Sequence, residues 1–475
     1  MMPVCRAATA RAVDAHLIDV LGLPGRALME LAGAGADAAL AARWPDSPVT
    51  VLCGPGNNGG DGAVLARWAA GRGVPVRVGW ARPPETPDAR ANAALLRAVG
   101  VWEGSVEDAL AGHGVVVDAL LGTGQVAAPR GPVAAAVGAA REARAGGRPV
   151  VALDLPTGLC ADTGQPLGGP LQVVEADLTL AFGTWKPAHL LPPGRFLCGE
   201  AALVSIGAAA AWGSGGPRPD GHRIDAADVA AWVPRVAPAA AKWDRGHVAV
   251  RAEGGAGVLA ARGAFAAGAG LVTLLADPAR WSALHGLPPE VILAPPEALD
   301  ASRHDVLVLG PGLGRRPADA AEALRAWAGF PGPLVADADA LSALADAGSP
   351  PPAGGVRVLT PHVAEAARLL GVGRAAVEAD RLGAVDALAA WGVPLLKGPG
   401  SIVGGGPPWF VTAGGPALAT AGTGDVLAGM AGALLAAGLA PREALAAAAF
   451  LHGQAGERMP AGGTASDLLH ALRAR

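Results

Sequence analysis

Asn57 and Asn58 stand side by side in Gly54-Pro-Gly-Asn-Asn-Gly59, and Gly60 and Asp61 follow, so amides and a carboxylate sit inside a run of glycines. Glycine leaves backbone N–H groups bare, and at a helix N-terminus such groups hold a phosphate. The spacing also matches GxGxxG, but a dinucleotide site of that type needs an acidic residue about 20 positions later for the ribose hydroxyls. Gly79-Trp-Ala-Arg-Pro-Pro84 offers none, which makes hydride transfer the weaker reading. Two further segments, Val117-Asp118-Ala-Leu-Leu-Gly122-Thr123-Gly124 and Leu153-Asp154-Leu-Pro-Thr157-Gly158, each end a strand-like run on an aspartate. Carboxylate, amide and backbone oxygens gathered there suit a cation such as K⁺, and Gly122 to Gly124 form a second anion-binding turn. Asp118 and Asp154 would equally serve to cap the turns that follow them.

The second half carries a different set. Val306-Leu-Val-Leu-Gly310-Pro-Gly312-Leu-Gly314, Thr360-Pro-His362-Val-Ala-Glu365 and Leu395-Leu-Lys397-Gly398-Pro399-Gly400-Ser401 all precede Ala421-Gly-Thr-Gly424-Asp425. In the last segment glycines would bare amides at a helix N-terminus for a transferring phosphoryl group, with Asp425 as base on the acceptor hydroxyl. An aspartate there for the helix dipole alone leaves the glycines unexplained. No GxxxxGK[ST] occurs in the chain, so the site is not of the Walker type. Lysine is reduced to Lys186, Lys242 and Lys397, and asparagine to Asn57, Asn58 and Asn92. Survivors of so depleted a type are candidates for work that Arg or Ser cannot do.

The elements that must position these groups alternate. Helical periodicity runs from Arg11 to Ala42, followed by an apolar strand Val49–Cys53. Helices are then expected at 64–71, 89–99 and 133–144, with strands at 74–78, 115–120 and 150–155. Such alternation implies a parallel sheet with ligands at the C-terminal strand ends. Around 213–219 the periodicity is lost and Gly and Pro cluster, which places a connection there between a domain at 1–212 and another at 220–475. Further strands are expected at 247–251, 271–275, 306–309, 334–337, 356–359 and 394–397, so the second domain is α/β as well. The halves share no repeat or motif and suggest a fusion of unlike domains.

The chain has 475 residues and a net charge of −4, without a basic block, which gives no reason to expect nucleic acid or anionic lipid as a partner. The longest strongly apolar run, Val426 to Ala440, is 15 residues and Gly-interrupted, short of the roughly 20 that span a bilayer. A buried helix is expected instead, and no membrane association. Four scattered cysteines and the lack of a basic-then-apolar leader fit a cytoplasmic location. Tyrosine is absent, so no mechanism here uses a phenol. A homo-oligomer is expected.

Gly56-Asn-Asn-Gly-Gly-Asp-Gly62, together with the two aspartate segments, resembles the NAD(P)H-hydrate epimerase domain over essentially residues 1 to 210. That family interconverts the R and S epimers of NADH and NADPH hydrated at C6 of the nicotinamide ring (NADHX and NADPHX). The resemblance implies a Rossmann-like three-layer α/β/α fold. It also implies substrate contacts at Asn57, Asn58, Gly59, Gly60 and Asp61, and at Gly122, Thr123, Gly124, Gln125, Val126, Ala127, Ala128 and Asp154. K⁺ would be held by Asn58, Asp118 and Thr157, the last a hydroxyl where the family often has Ser. Epimerisation through a ring-opened or dehydrated-cation intermediate needs a group that manages a proton, and Asp154 and Lys186 are both candidates. The sequence does not choose between them.

Gly-Thr-Gly-Asp at Gly422–Asp425 resembles the ribokinase-like superfamily. Within it, Lys397–Ser401, His362-x-x-Glu365, Asp337-Ala-Asp-Ala-Leu341 and Gly310–Gly314 look most like the ADP-dependent NAD(P)H-hydrate dehydratase, over about residues 220 to 475. By that resemblance Lys397, Gly398, Pro399, Gly400, Ser401 and Gly424 contact ADP. Ala256, Gly312, His362 and Asp425 contact the hydrate, and Glu365 acts through Mg²⁺. Two positions depart from the family: its Pro-His-x-Gly-Glu has Ala364, and its Lys-Gly reads Lys242-Trp243. A methyl at Ala364 requires negative φ. The implied function is repair of both hydrate epimers, by epimerisation and then ADP-dependent dehydration to NAD(P)H, AMP and phosphate. The rival readings are a vitamin or sugar kinase with a non-catalytic N-terminal binding domain, and an N-terminal half that serves only as a scaffold.

Overall fold

A computed structural model describes residues 1–473, and their contacts separate into two units, Pro3–Gly221 and Met1–Met2 with the residues from His222 onward. In the first unit Val, Leu and Ala runs with no polar alternation form strands buried on both faces, as a helix-covered parallel sheet requires. The strand order is Trp102–Gly104, Val76–Trp80, Val49–Cys53, Val115–Ala119, Val150–Leu153, Leu178–Phe182 and Glu200–Val204, all parallel. From Val49–Cys53 the chain first builds towards one edge and then returns to pair Val115–Ala119 on the other side. That reversal opens a crevice at the C-terminal strand ends. Asp118 sits level with Leu52 and Ala152, one residue before its strand ends.

In the second unit the parallel strands Val393–Leu396, Arg357–Leu359, Leu334–Ala336, Val306–Leu309, His247–Arg251, Leu271–Leu275 and Ile292–Ala294 lie in that order. Ser401–Val403 and Trp409–Val411 extend the sheet in antiparallel fashion. The reversal here falls between His247–Arg251 and Val306–Leu309. Behind the sheet, the apolar run becomes the helix Thr423–Ala436, buried on nearly every face. It meets the helix Gly254–Ala266 so closely that a Cβ on Gly429 would stand 1.9 Å from Ala260 O, and one on Gly263 2.3 Å from Val426 O. Glycine in both surfaces is what lets the backbones touch. Among the described residues no helix is long and apolar enough to cross a membrane.

The strongly apolar strands fall where their runs predict, including Val49–Cys53, His247–Arg251 and Leu271–Leu275. The helix expected from Val64 starts seven residues earlier, at Asn57, because glycines and asparagines hide a first turn that the sheet edge holds in place. Ala364 lies inside the helix Val363–Leu370 and is not among the positive-φ residues, so its methyl is accommodated.

Candidate functional site

Gly56 caps the helix Asn57–Gly71, so Asn57, Asn58 and Gly59 occupy the first turn, where N–H groups have no intrahelical acceptor. The glycines are there for close approach: a Cβ on Gly54 would stand 1.8 Å from Leu120 O, and one on Gly59 2.0 Å from Gly54 O. This packing pins the helix end in the crevice between Val49–Cys53 and Val115–Ala119. A cavity of about 700 Å³ opens there, lined by Asn57, Asn58, Asp61, Gly122 to Ala127, Asp154 and Lys186. Of the other expected contacts, Gly59 and Gly60 are buried behind the wall, and Ala128 lies outside it beside Gly168.

Asp154 follows its strand with φ +62°, a left-handed backbone that Asp tolerates better than most residues and that is often found at functional sites. Its Oδ1 takes a 2.6 Å ion-paired hydrogen bond from Lys186 Nζ, and its Oδ2 accepts from Thr123 N–H at 3.1 Å. Lys186 is 2% exposed and also donates to Phe182 O. Burial raises the Asp154 carboxyl, but the Lys186 ammonium and the surrounding donors outweigh it and hold the group below its ordinary range. His189 accepts from Lys186 N–H through Nδ1 and meets Asp154 O at 2.7 Å through Nε2. Burial, reinforced by the Lys186 charge, lowers His189 to about 4, so it stays neutral and donates from Nε2. Asp61 is driven the other way: burial first, then the charges of Asp154 and Asp14, push it well above the usual carboxylate range. Two carboxyls pushed in opposite directions thus share a cavity wall, the arrangement that separates base from acid.

Beneath this wall Asp118 and Thr157 are fully buried. Asp118 accepts Thr157 O–H and Leu120 N–H through Oδ1 and Thr157 N–H through Oδ2. The turn-capping role is therefore real. Thr157 Oγ1 in turn accepts Leu121 N–H, and a Cβ on Gly122 would stand 3.5 Å from Asn58 and 3.1 Å from Asp154 Oδ2. Asn58 is the exception to this satisfaction, since both atoms of its amide are buried without a hydrogen-bond partner.

The second unit brings four helix N-termini to its strand ends: those of Gly254–Ala266, Ala338–Asp346, Val363–Leu370 and Thr423–Ala436. Lys397 Nζ lies 2.7 Å from Asp337 Oδ1, which also accepts Thr360 O–H at 2.9 Å. A Cβ on Gly424 would stand 3.5 Å from Lys397 Nζ. Ala256 and Gly312 face each other, the latter at φ +62°. His362 caps its helix through Nδ1 while Glu365 Oε2 accepts His362 N–H at 2.8 Å, and an isolated bridge pairs His362 with Lys397. Burial, then the Asp337 charge, raises Asp425 to about 6 against the opposing pull of Lys397. Burial likewise raises Glu365 to about 7. The structure thus gathers Lys397, Gly424, Asp425, His362 and Glu365 around Asp337. A second cavity of about 320 Å³, among Arg251, Glu322 and Phe330, holds none of these residues.

Sequence reasoning left out Asp14 and His189 in the first unit and Asp337 as a site group in the second. Asp14, which lines the cavity and is raised by burial to about 6, sits on an ordinary amphipathic helix. Nothing in its spacing marks it. His189 was detectable as the residue three beyond Lys186.

The family described as NAD(P)H-hydrate dehydratase matches residues 250–474, and that described as YjeF-related protein N-terminus matches residues 25–188. A bifunctional NAD(P)H-hydrate repair enzyme of Thermanaerovibrio acidaminovorans is 38% identical over 94% of this chain and 93% of its own length. Its namesake from Escherichia coli is 36% identical over 96% and 90%. The ADP/ATP-dependent NAD(P)H-hydrate dehydratase of Bacillus subtilis, co-crystallised with ATP and Mg²⁺, superimposes with a TM-score of 0.46 at 25% identity, covering 52% of this chain and 94% of that one.

Proposed function

The chain belongs to the family of bifunctional NAD(P)H-hydrate repair enzymes, and on that footing we propose that its first unit interconverts R and S NAD(P)HX and its second dehydrates the S form with ADP. The observation that carries this is the presence of two separate anion-ready strand edges, each with its own lysine–carboxylate pair, the buried Lys186–Asp154 and the part-buried Lys397–Asp337. A kinase with an inert N-terminal module would have no use for the first. We place the epimerase domain at 1–212, a connection at 213–219 and the dehydratase domain at 220–475. The parting of the two units just beyond that connection supports the division.

In the first site the amides of the Asn57 turn and of Gly122 to Gly124 hold the substrate phosphates. Asp154, held below its ordinary range by Lys186, takes a proton from the nicotinamide ring system, and Asp61, whose hold on a proton burial strengthens, supplies one. K⁺ fits Asn58, Asp118 and Thr157, because the unpartnered Asn58 carbonyl oxygen supplies a ligand that no internal donor occupies. Bound there, the ion would add positive charge beneath the phosphate turns. K⁺ is accordingly expected to raise the melting temperature of the wild-type protein by a few degrees through mass action. A choline control gives no rise, and Asn58→Leu removes the effect. Equal melting curves in K⁺ and choline would empty this site.

In the second site Asp425 takes the proton of the C6 hydroxyl as that oxygen attacks the β-phosphorus of ADP and AMP departs. Loss of phosphate from C6 and of a proton from C5 then restores the ring double bond. Lys397 to Ser401 and Gly424 hold ADP, Ala256, Gly312 and His362 hold the hydrate, and Mg²⁺ would associate with Glu365 and the nucleotide phosphates. Because the base must be ionised, kcat/KM for dehydration should fall about tenfold per pH unit below the Asp425 value of about 6 and level off above it. A profile still flat at about pH 5 would remove Asp425 from this role. Dehydration assayed with ADP and pure S hydrate tests the whole reading of the second unit.

A further inference from the structure

Arg381 opens the helix Arg381–Leu388 and is 3% exposed. An arginine is seldom buried unless its donors find acceptors. Here Nη1 donates to Glu378 Oε2 at 3.3 Å, while Nε and Nη2 are buried with no partner. The guanidinium lies directly behind the Lys397–Ser401 turn: a Cβ on Gly398 would stand 3.0 Å from Nη2 and 3.4 Å from Nη1. Gly398 has φ +150°, and Gly398 and Pro399 are exposed to solvent. Lys397, on the same turn, is already matched by Asp337 at 2.7 Å. Arg381 is itself paired with Glu378 through Nη1, so what remains uncommitted behind this turn is the pair of buried donors Nε and Nη2.

We infer that Arg381 is a positioning residue of the nucleotide site, holding the Lys397–Ser401 turn in the form that accepts the phosphates of ADP. Its spare N–H groups meet oxygen acceptors once the nucleotide has drawn the turn down. The inference rests on the reading of that turn as the ADP site. The planar, forked guanidinium suits the task better than the point charge of a lysine.

The test uses the full-length protein, with pure S hydrate and ADP. Arg381→Gln should raise KM for ADP about tenfold or more, with kcat and KM for the hydrate changed less than about threefold. Arg381→Lys should fall between it and the wild type. Without ligand, Arg381→Gln should melt no lower than the wild type, because it removes buried donors that have no acceptors, while the rise in melting temperature on adding ADP should shrink. A purely structural arginine gives the opposite: a lower melting temperature, with KM for ADP and the ADP-induced rise intact. That result in a folded variant overturns the inference alone. If Arg381→Gln does not fold, Arg381→Lys decides by the same two readouts. Wild-type protein without ADP-dependent recovery of reduced nicotinamide overturns the site reading and the inference with it.

Discussion

Asp425→Asn should abolish ADP-dependent recovery of NAD(P)H from the S hydrate, lowering the rate by about 10²–10⁴-fold, while R/S interconversion stays within about twofold of the wild type. The amide keeps the shape of the side chain and its place in the first turn of the helix Thr423–Ala436, so what is lost is the proton acceptor. The fold should not suffer. A carboxyl raised above its unfolded value is destabilising when ionised, so removing the charge leaves stability at neutral pH unchanged or higher. This separates a catalytic loss from unfolding, because the melting temperature should not fall. Loss of both activities together would mean that the two sites are not independent.

The second large effect is expected at the Lys186–Asp154 pair. Asp154→Asn should reduce epimerisation by about 10²-fold or more and leave dehydration of pure S hydrate untouched. Asn tolerates the left-handed backbone at φ +62°, so the change tests the charge rather than the turn. Lys186→Met should be worse for stability: it strands a buried carboxylate, and breaking a buried pair on one side costs about 3–5 kcal/mol. Combining the two changes should restore part of that loss without restoring activity, a non-additivity that a double-mutant cycle measures. If Asp154→Asn epimerises at the wild-type rate, the base lies elsewhere on the cavity wall.

The central strands were legible because continuous apolar runs such as Val115–Ala119 and Val306–Leu309 admit little else when glycine turns bound them. Edge strands such as Trp102–Gly104 and Ile292–Ala294 were not, being three residues long and partly exposed. Their pairing comes from the neighbouring strand rather than from their own pattern. In the sites, residues on glycine-rich turns after strands announced themselves, and the structure gathers most of them. Groups that act through tertiary contact did not. Asp14 enters the first cavity from a separate helix, and Arg381 reaches the Lys397 turn from beneath, at 16 positions' remove in the chain. Asp61 was legible by position, but the upward push on its carboxyl comes first from burial and then from the charges of Asp154 and Asp14, which only the fold creates.

The most direct test of two independent repair chemistries on one chain follows the absorbance of reduced nicotinamide after the purified protein is added to a mixture of R and S NAD(P)HX with ADP, Mg²⁺ and K⁺. The account predicts recovery of both epimers, complete in the wild type and limited to the S fraction in Asp154→Asn. Recovery of the S fraction alone by the wild-type protein, or none at all, would contradict it.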